Sequence, residues 1–138
     1  MATWMAHLRI ANNFIDKISD ISEKEFIVGN IAPDCGEPNE DWSAFKPSSD
    51  ITHWAVNGRK ADIDSEAFFD RYLGKEEKIT KQQRSFYIGY YIHLLTDIEW
   101  VHKIFHPKKQ QFIEEFQKDN RFIWTMKKDW YDLDHLFL

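Results

Sequence analysis

Cysteine is nearly absent. The 138-residue chain has one, Cys35, so no disulfide can form within it. Glycine and proline are scarce, at five and four residues, and the glycines never gather into a phosphate-cradling loop. Long apolar runs are missing too. The longest, Phe86 to Leu95, is broken by His93 and falls far short of the roughly 20 residues a membrane helix needs. Basic charge is in deficit: 18 Lys and Arg against 23 Asp and Glu, a net charge of −5. Such a chain lacks the footprint of a general nucleic-acid binder, so no stable nucleic-acid partner is expected. The first residues, Met1-Ala2-Thr3-Trp4-Met5-Ala6-His7, do not read as a secretory signal. The expectation is a cytoplasmic protein without a transmembrane segment.

What is present is aromatic. Phe, Trp and Tyr make up 16% of the chain, which lets a short sequence bury a sizeable core. Hydrophobic residues at 43% and charged ones at 30% mark a globular composition, and the length suits one domain over residues 1–138.

Helical periodicity dominates. Trp4, Leu8, Ala11, Ile15 and Ile18 predict an amphipathic helix over about 3–18. Ser22-Glu23-Lys24-Glu25 reads as a capping box that opens a short helix. Residues 33–50 hold three of the four prolines and read as loop. Asp64 or Ser65 caps a helix that stops at Gly74. Thr80-Lys81-Gln82-Gln83 is a second capping box, opening the longest helix at about 80–105, before Pro107. Further helices are expected over about 109–118 and 120–135. No clear strand is visible. The predicted fold is all-α: five to six helices around a buried central one.

That central helix carries the chemistry. From Phe86 to Leu95 everything except His93 is apolar, aromatic or glycine, and Asp97 follows one turn after His93. Residues four apart lie about 40° apart around a helix, so both side chains share one face. A buried carboxylate needs a partner or a metal. Two readings stay open for this segment: a pair of metal ligands, or a His–Asp hydrogen bond within the core. Three more segments add candidates. His7 lies beside Leu8 on the edge of the first helix's apolar face, Asp34 ends the stretch from Gly29 to Pro33, and His53 sits in Ile51-Thr52-His53-Trp54. Three imidazoles and two carboxylates suit one or two ions of Zn²⁺, or of another divalent metal such as Mn²⁺ or Fe.

The order Trp-x-x-His-Leu, Gly29-Asn30-Ile31-Ala32-Pro33-Asp34, Thr52-His53-Trp54 and His93-Leu94-Leu95-Thr96-Asp97 resembles the zinc-dependent phospholipase C family, grouped with the S1/P1-type nucleases. The resemblance covers about residues 3–100. It implies an all-helical metallohydrolase of phosphate esters with a zinc cluster, and metal ligation by His7, Asp34, His53, His93 and Asp97. The family's late His-x-x-x-Glu pair has no counterpart here, and Trp4 follows three residues instead of supplying an α-amino group. His102 and His106 are the candidates for extra ligands. On a straight helix they lie about 180° and 220° around from His93, which points instead to surface histidines.

Asp34 and Asp97 are therefore the candidate catalytic carboxylates, orienting a metal-bound water or bridging two ions. Tyr90 and Trp100 share the helix face of His93 and are candidates to wall the substrate pocket. Cys35 reads as a buried, inert thiol. The expected activity is zinc-dependent hydrolysis of a phosphate ester, phospholipase C-like or phosphodiesterase-like, on a phospholipid-derived or nucleotide-like substrate. The alternative is a metal-binding or structural helical module of the same fold without turnover. A nucleotide phosphohydrolase with an adjacent His-Asp pair is disfavoured, because the chain has no such dipeptide.

Overall fold

The computed structural model describes residues 2–41, 43–75 and 78–137. The fold is all-α. Helix α1 spans Trp4–Ile15, α2 Glu23–Ile31, α3 Ser49–Thr52, α4 Ser65–Tyr72 and α5 Lys81–Trp100. A π-helical turn, Val101–Phe105, leads into α6 (His106–Gln111), α7 (Ile113–Lys118) and α8 (Phe122–Asp134). Among the described residues no helix is long and apolar enough to cross a membrane.

Several boundaries differ from the sequence reading. Pro107 does not end the long helix. The His106 amide bonds back to the Val101 carbonyl across a π turn, and Pro107 falls in the first turn of α6, where its missing N–H is not needed. The predicted 109–118 helix is two, broken at Phe112. The 33–50 loop contains a two-residue antiparallel pair, β1 (Glu37–Pro38) with β2 (Phe45–Lys46). Asn39 makes it: its amide donates to the Ala44 carbonyl at 2.9 Å and its side-chain oxygen accepts from the Ala44 amide at 3.0 Å. Two residues per strand are too few to show a period in the sequence.

Of the two capping boxes, the one at Thr80 and Gln83 forms in full. The one at Ser22 does not. The Ser22 hydroxyl donates to the Glu25 carboxylate, while the Ser22 amide donates to Ser85 Oγ on α5 at 2.8 Å. That tertiary bond takes the amide which Glu25 would have capped.

The axis of the fold is the crossing of α2 with α5. A Cβ on Gly89 would lie 2.0 Å from the Phe26 carbonyl oxygen, and one on Gly29 would lie 2.1 Å from that of Phe86. The two backbones touch where only hydrogen fits. Alanine favours a helix interior over glycine by about 1 kcal/mol. Here that gain is lost to the clash. Gly89→Ala is expected to destabilise the fold by about 3 kcal/mol, as overpacking against backbone does, which urea unfolding will measure.

Around this crossing two apolar clusters form. One gathers Ala11, Phe26 and Ile92; the other gathers Ile63, Phe68 and Leu94 with Trp54, Tyr72 and Tyr90 around them. Ile92 and Leu94 point to different clusters, and His93 between them is wholly buried at their junction.

Candidate metal centre

Each ligand candidate is placed by a different local device. Thr3 caps α1 by accepting from the Ala6 amide at 3.2 Å and ties it to α8 by donating to Asp134 at 2.9 Å, which sets His7 in the interior. The glycine contact brings the end of α2 onto α5, so the Asn30 carbonyl reaches His93 Nδ1 at 2.7 Å. A proline-bearing 3₁₀ turn, Ala32–Asp34, then swings Asp34 back toward the same point. His53 closes α3, with its Nδ1 2.9 Å from the Ser49 carbonyl. Tyr90 donates its hydroxyl to the Thr52 carbonyl and so anchors the residue before His53. Trp54, next in the chain, is held at φ 55°, a left-handed conformation costly for a bulky residue, with its ring packed edge-on to Phe68 and Tyr72.

The five side chains expected as ligands surround one region. His53 Nε2 lies 3.1 Å from Asp34 Oδ1, 3.1 Å from His93 Nε2 and 3.5 Å from Asp97 Oδ2. His7 stacks on His93 with ring centres 3.8 Å apart, and its Nε2 lies 3.5 Å from Asp97 Oδ1. Two groups have ligand atoms within 4.8 Å of one another: His7, His93 and Asp97, and Asp34, His53 and His93.

The donor chemistry fits a cation. A carbonyl cannot donate, so His93 Nδ1 carries the proton and its Nε2 turns a lone pair inward. His53 Nδ1 meets the Ser49 carbonyl and the Thr52 and Ser49 hydroxyls, but its Nε2 meets the Lys60 ammonium, which can only donate, so there too the lone pair is on Nε2. His53 Nε2 therefore faces two carboxylate oxygens and a second imidazole lone pair. These groups call for a cation; the Lys60 ammonium, 2.9 Å from His53 Nε2 and 2.7 Å from Asp97 Oδ2, meets part of that demand, and a metal would meet it at every ligand atom. The spacings agree. Bonds of about 2.0–2.2 Å in a tetrahedron place ligand atoms roughly 3.3–3.6 Å apart. Backbone carbonyls that hold the outer nitrogens are the usual support for metal-binding imidazoles. His7 is fully buried and poorly satisfied: among the described residues its Nε2 has Asp97 Oδ1 at the long distance of 3.5 Å, and no hydrogen bond to its Nδ1 is seen.

The electrostatics keep the two carboxyls ionised and favour the neutral forms of His7 and His93. Burial would raise the Asp34 and Asp97 carboxyls, but both are held well below the usual carboxylate range, Asp34 by His53 and Lys60, Asp97 by His7 and Lys60. Burial lowers the His7 imidazole. It pushes His93 down to about 3, helped by the neighbouring His7. The folded state thus binds His93 in neutral form, below the ordinary value of 6.5. Its contribution is complete above pH 6.5 and is lost as the pH falls toward 3. We expect urea midpoints of the metal-free protein to drop steadily from pH 7 to about pH 5, and more steeply below it, where the unfolded-state carboxyls of Asp34 and Asp97 also begin to take up protons.

A pocket of about 570 Å³ opens onto this centre. Asp34, His53 and Lys60 form its floor side, and Trp4, Phe45, Trp124, Lys127 and Tyr131 line it too. Trp4 is 52% and Trp124 63% exposed, which leaves the rim apolar and open.

Other candidates lie elsewhere. Tyr90 does not line the pocket; its hydroxyl is committed to Thr52 and its ring stacks on Phe68 at 4.8 Å. Trp100 packs edge-on to Trp130 at 5.4 Å and borders a separate apolar groove. His102 and His106 are exposed, their rings 5.7 Å from each other and outside both ligand groups. Cys35 is exposed instead of buried. Its Sγ–H donates to the Ile31 carbonyl at 3.3 Å, and partial burial followed by the Asp34 charge raises its pKa, which keeps it a thiol. The sequence reading missed Lys60, which reaches the heart of the centre from a polar loop that shows no periodic signal.

An all-helical fold with buried His and Asp side chains converging below an open pocket defines a candidate metal-dependent phosphoesterase. The model of the zinc dependent phospholipase C family matches residues 6–131, and the chain belongs to that family. No curated protein and no solved structure matches the chain.

Proposed function

We propose that the protein is a zinc-dependent hydrolase that cleaves phosphate esters, acting as a phospholipase C or a related phosphodiesterase. The observation that carries this reading is the convergence of Asp34, His93 and Asp97 on His53 Nε2, at 3.1, 3.1 and 3.5 Å. Asp34, His53, His93 and Asp97 Oδ2 would hold one ion. His7 with Asp97 Oδ1 would take part in a second position, since His93 has a single free lone pair and Asp97 has two oxygens facing opposite sides. When bound, zinc would supply hydroxide at neutral pH and a Lewis acid for the phosphoryl oxygens.

The chain's own residues divide the remaining work. Asp97 is enclosed and bridges, so it positions His7 and His53 and takes no proton. Asp34 is one-fifth exposed at the pocket floor and ionised, so it would help hold the ion and orient the attacking water by a hydrogen bond. Lys127, whose pKa burial and then Lys60 lower, adds positive charge along the path of an anionic ester. Trp4, Phe45, Trp124 and Tyr131 exclude water beside the ester and suit an apolar or planar substrate body.

The test is turnover by zinc-loaded protein of a chromogenic phosphodiester and of phosphatidylcholine in mixed micelles. Hydrolysis that falls at least a hundredfold in Asp34→Asn, assayed at saturating zinc because Asp34 is also a ligand, is expected. A zinc-loaded chain inert toward both would be a metal-binding module without turnover.

A further inference from the structure

Lys60 sits where a cation is required. Its Nζ lies 2.7 Å from Asp97 Oδ2, 2.9 Å from His53 Nε2 and 3.6 Å from Asp34 Oδ1. These are three of the atoms assigned above to the metal. The loop that delivers it is pinned on both sides of the site. Ala55 pairs with Ile63 across an antiparallel bridge, and the Asp64 amide donates to the Trp54 carbonyl at 3.0 Å. Arg59 is engaged outward with Asp62 at 2.7 Å, while Lys60 turns inward over His53.

The chemistry makes the two cations exclusive. His53 Nε2 has one lone pair, because Nδ1 is spent on the Ser49 carbonyl. That pair accepts a proton from the Lys60 ammonium or binds a metal, never both. Asp97 Oδ2 faces the same choice for electrostatic reasons, since an ammonium at 2.7 Å and a divalent ion at bonding distance would be like charges in contact. The Lys60 side chain is 21% exposed and lines the pocket, so it has an aqueous way out.

We propose that Lys60 is a built-in counter-cation of this centre: its ammonium holds the ligands of the metal-free protein together and must be expelled into the pocket when a metal binds. This rests on the metal centre proposed above. It makes metal uptake an exchange of one cation for another, which weakens affinity and spares the metal-free fold from bare, mutually repelling ligands. Burial opposes the ammonium, but Asp97 and Asp34 more than restore it, so it is charged when the exchange takes place.

Two measurements test this. The first is zinc affinity by competition with a chromophoric chelator, for the unaltered protein, Lys60→Met and Lys127→Met. Lys60→Met, which keeps the stem and removes the charge, is expected to bind zinc at least tenfold more tightly, and Lys127→Met less than threefold more tightly. The second is acylation of the unaltered protein, read by mass spectrometry. Labelling of Lys60 is expected to rise at least threefold when zinc is added, relative to exposed Lys128. Equal or weaker zinc binding by Lys60→Met, a gain no larger than that of Lys127→Met, or labelling that does not rise would each overturn the role of Lys60 while leaving the centre standing. Zinc binding by none of the three proteins would overturn the centre and the exchange together. Should Lys60→Met fail to fold, the acylation result decides alone.

Discussion

Alanine in place of His93 or Asp97 is expected to leave the protein with less than a tenth of its metal after dialysis, whereas His106→Ala should stay loaded. His93 and Asp97 are fully buried, and their ligand atoms face His53 at 3.1 and 3.5 Å. His106 is exposed and faces His102. The size follows from coordination. A four-ligand zinc site is worth about 10–16 kcal/mol, so one ligand carries roughly 3 kcal/mol, and each 1.4 kcal/mol is about tenfold in affinity. A loss of about a hundredfold or more is therefore expected. Asp97→Ala should have the larger effect, because one of its oxygens faces His53 and the other His7, so both candidate ion positions draw on it. Zinc per chain measured by elemental analysis checks this. Equal losses in all three variants would place the metal further along the chain.

Chelation should lower the melting midpoint clearly, and zinc should restore it. Without metal, two carboxylates and three imidazoles crowd one region, and the Lys60 ammonium offsets only part of the repulsion between the carboxylates. An ion bound only by the folded state adds about 4 kcal/mol at a thousandfold excess over its Kd. For a chain of this length that is roughly 10 °C or more in midpoint. Lys60 tempers the effect in the unaltered protein, so the zinc-induced shift should be larger still in Lys60→Met. Curves that overlay with and without chelator, on protein shown to be loaded at the start, would count against the centre as a structural element.

Much of this molecule could be read from one dimension. The spacing of four between His93 and Asp97 on an apolar helix placed both on one buried face, because helix geometry is local and repeats every 3.6 residues. Thr80 and Gln83 capped α5 as expected, since both partners lie within a single turn. Family membership was legible in Gly29-Asn30-Ile31-Ala32-Pro33-Asp34 and His93-Leu94-Leu95-Thr96-Asp97. What lay beyond the sequence depended on contacts between distant segments. Ser22 lost its capping role to Ser85, 63 residues away. Tyr90 and Trp100 share the helix face of His93, yet neither lines the pocket, because a face is wider than a pocket and Thr52 and Trp130 claim them. Only the tertiary structure shows the two oxygens of Asp97 facing different partners, His7 and His53. Lys60 is the clearest case. A lysine in a polar loop reads as solvated, and only the tertiary fold shows its ammonium drawn inward, because nothing in its own neighbourhood records the negative charge that α5 and the turn after α2 bring to it.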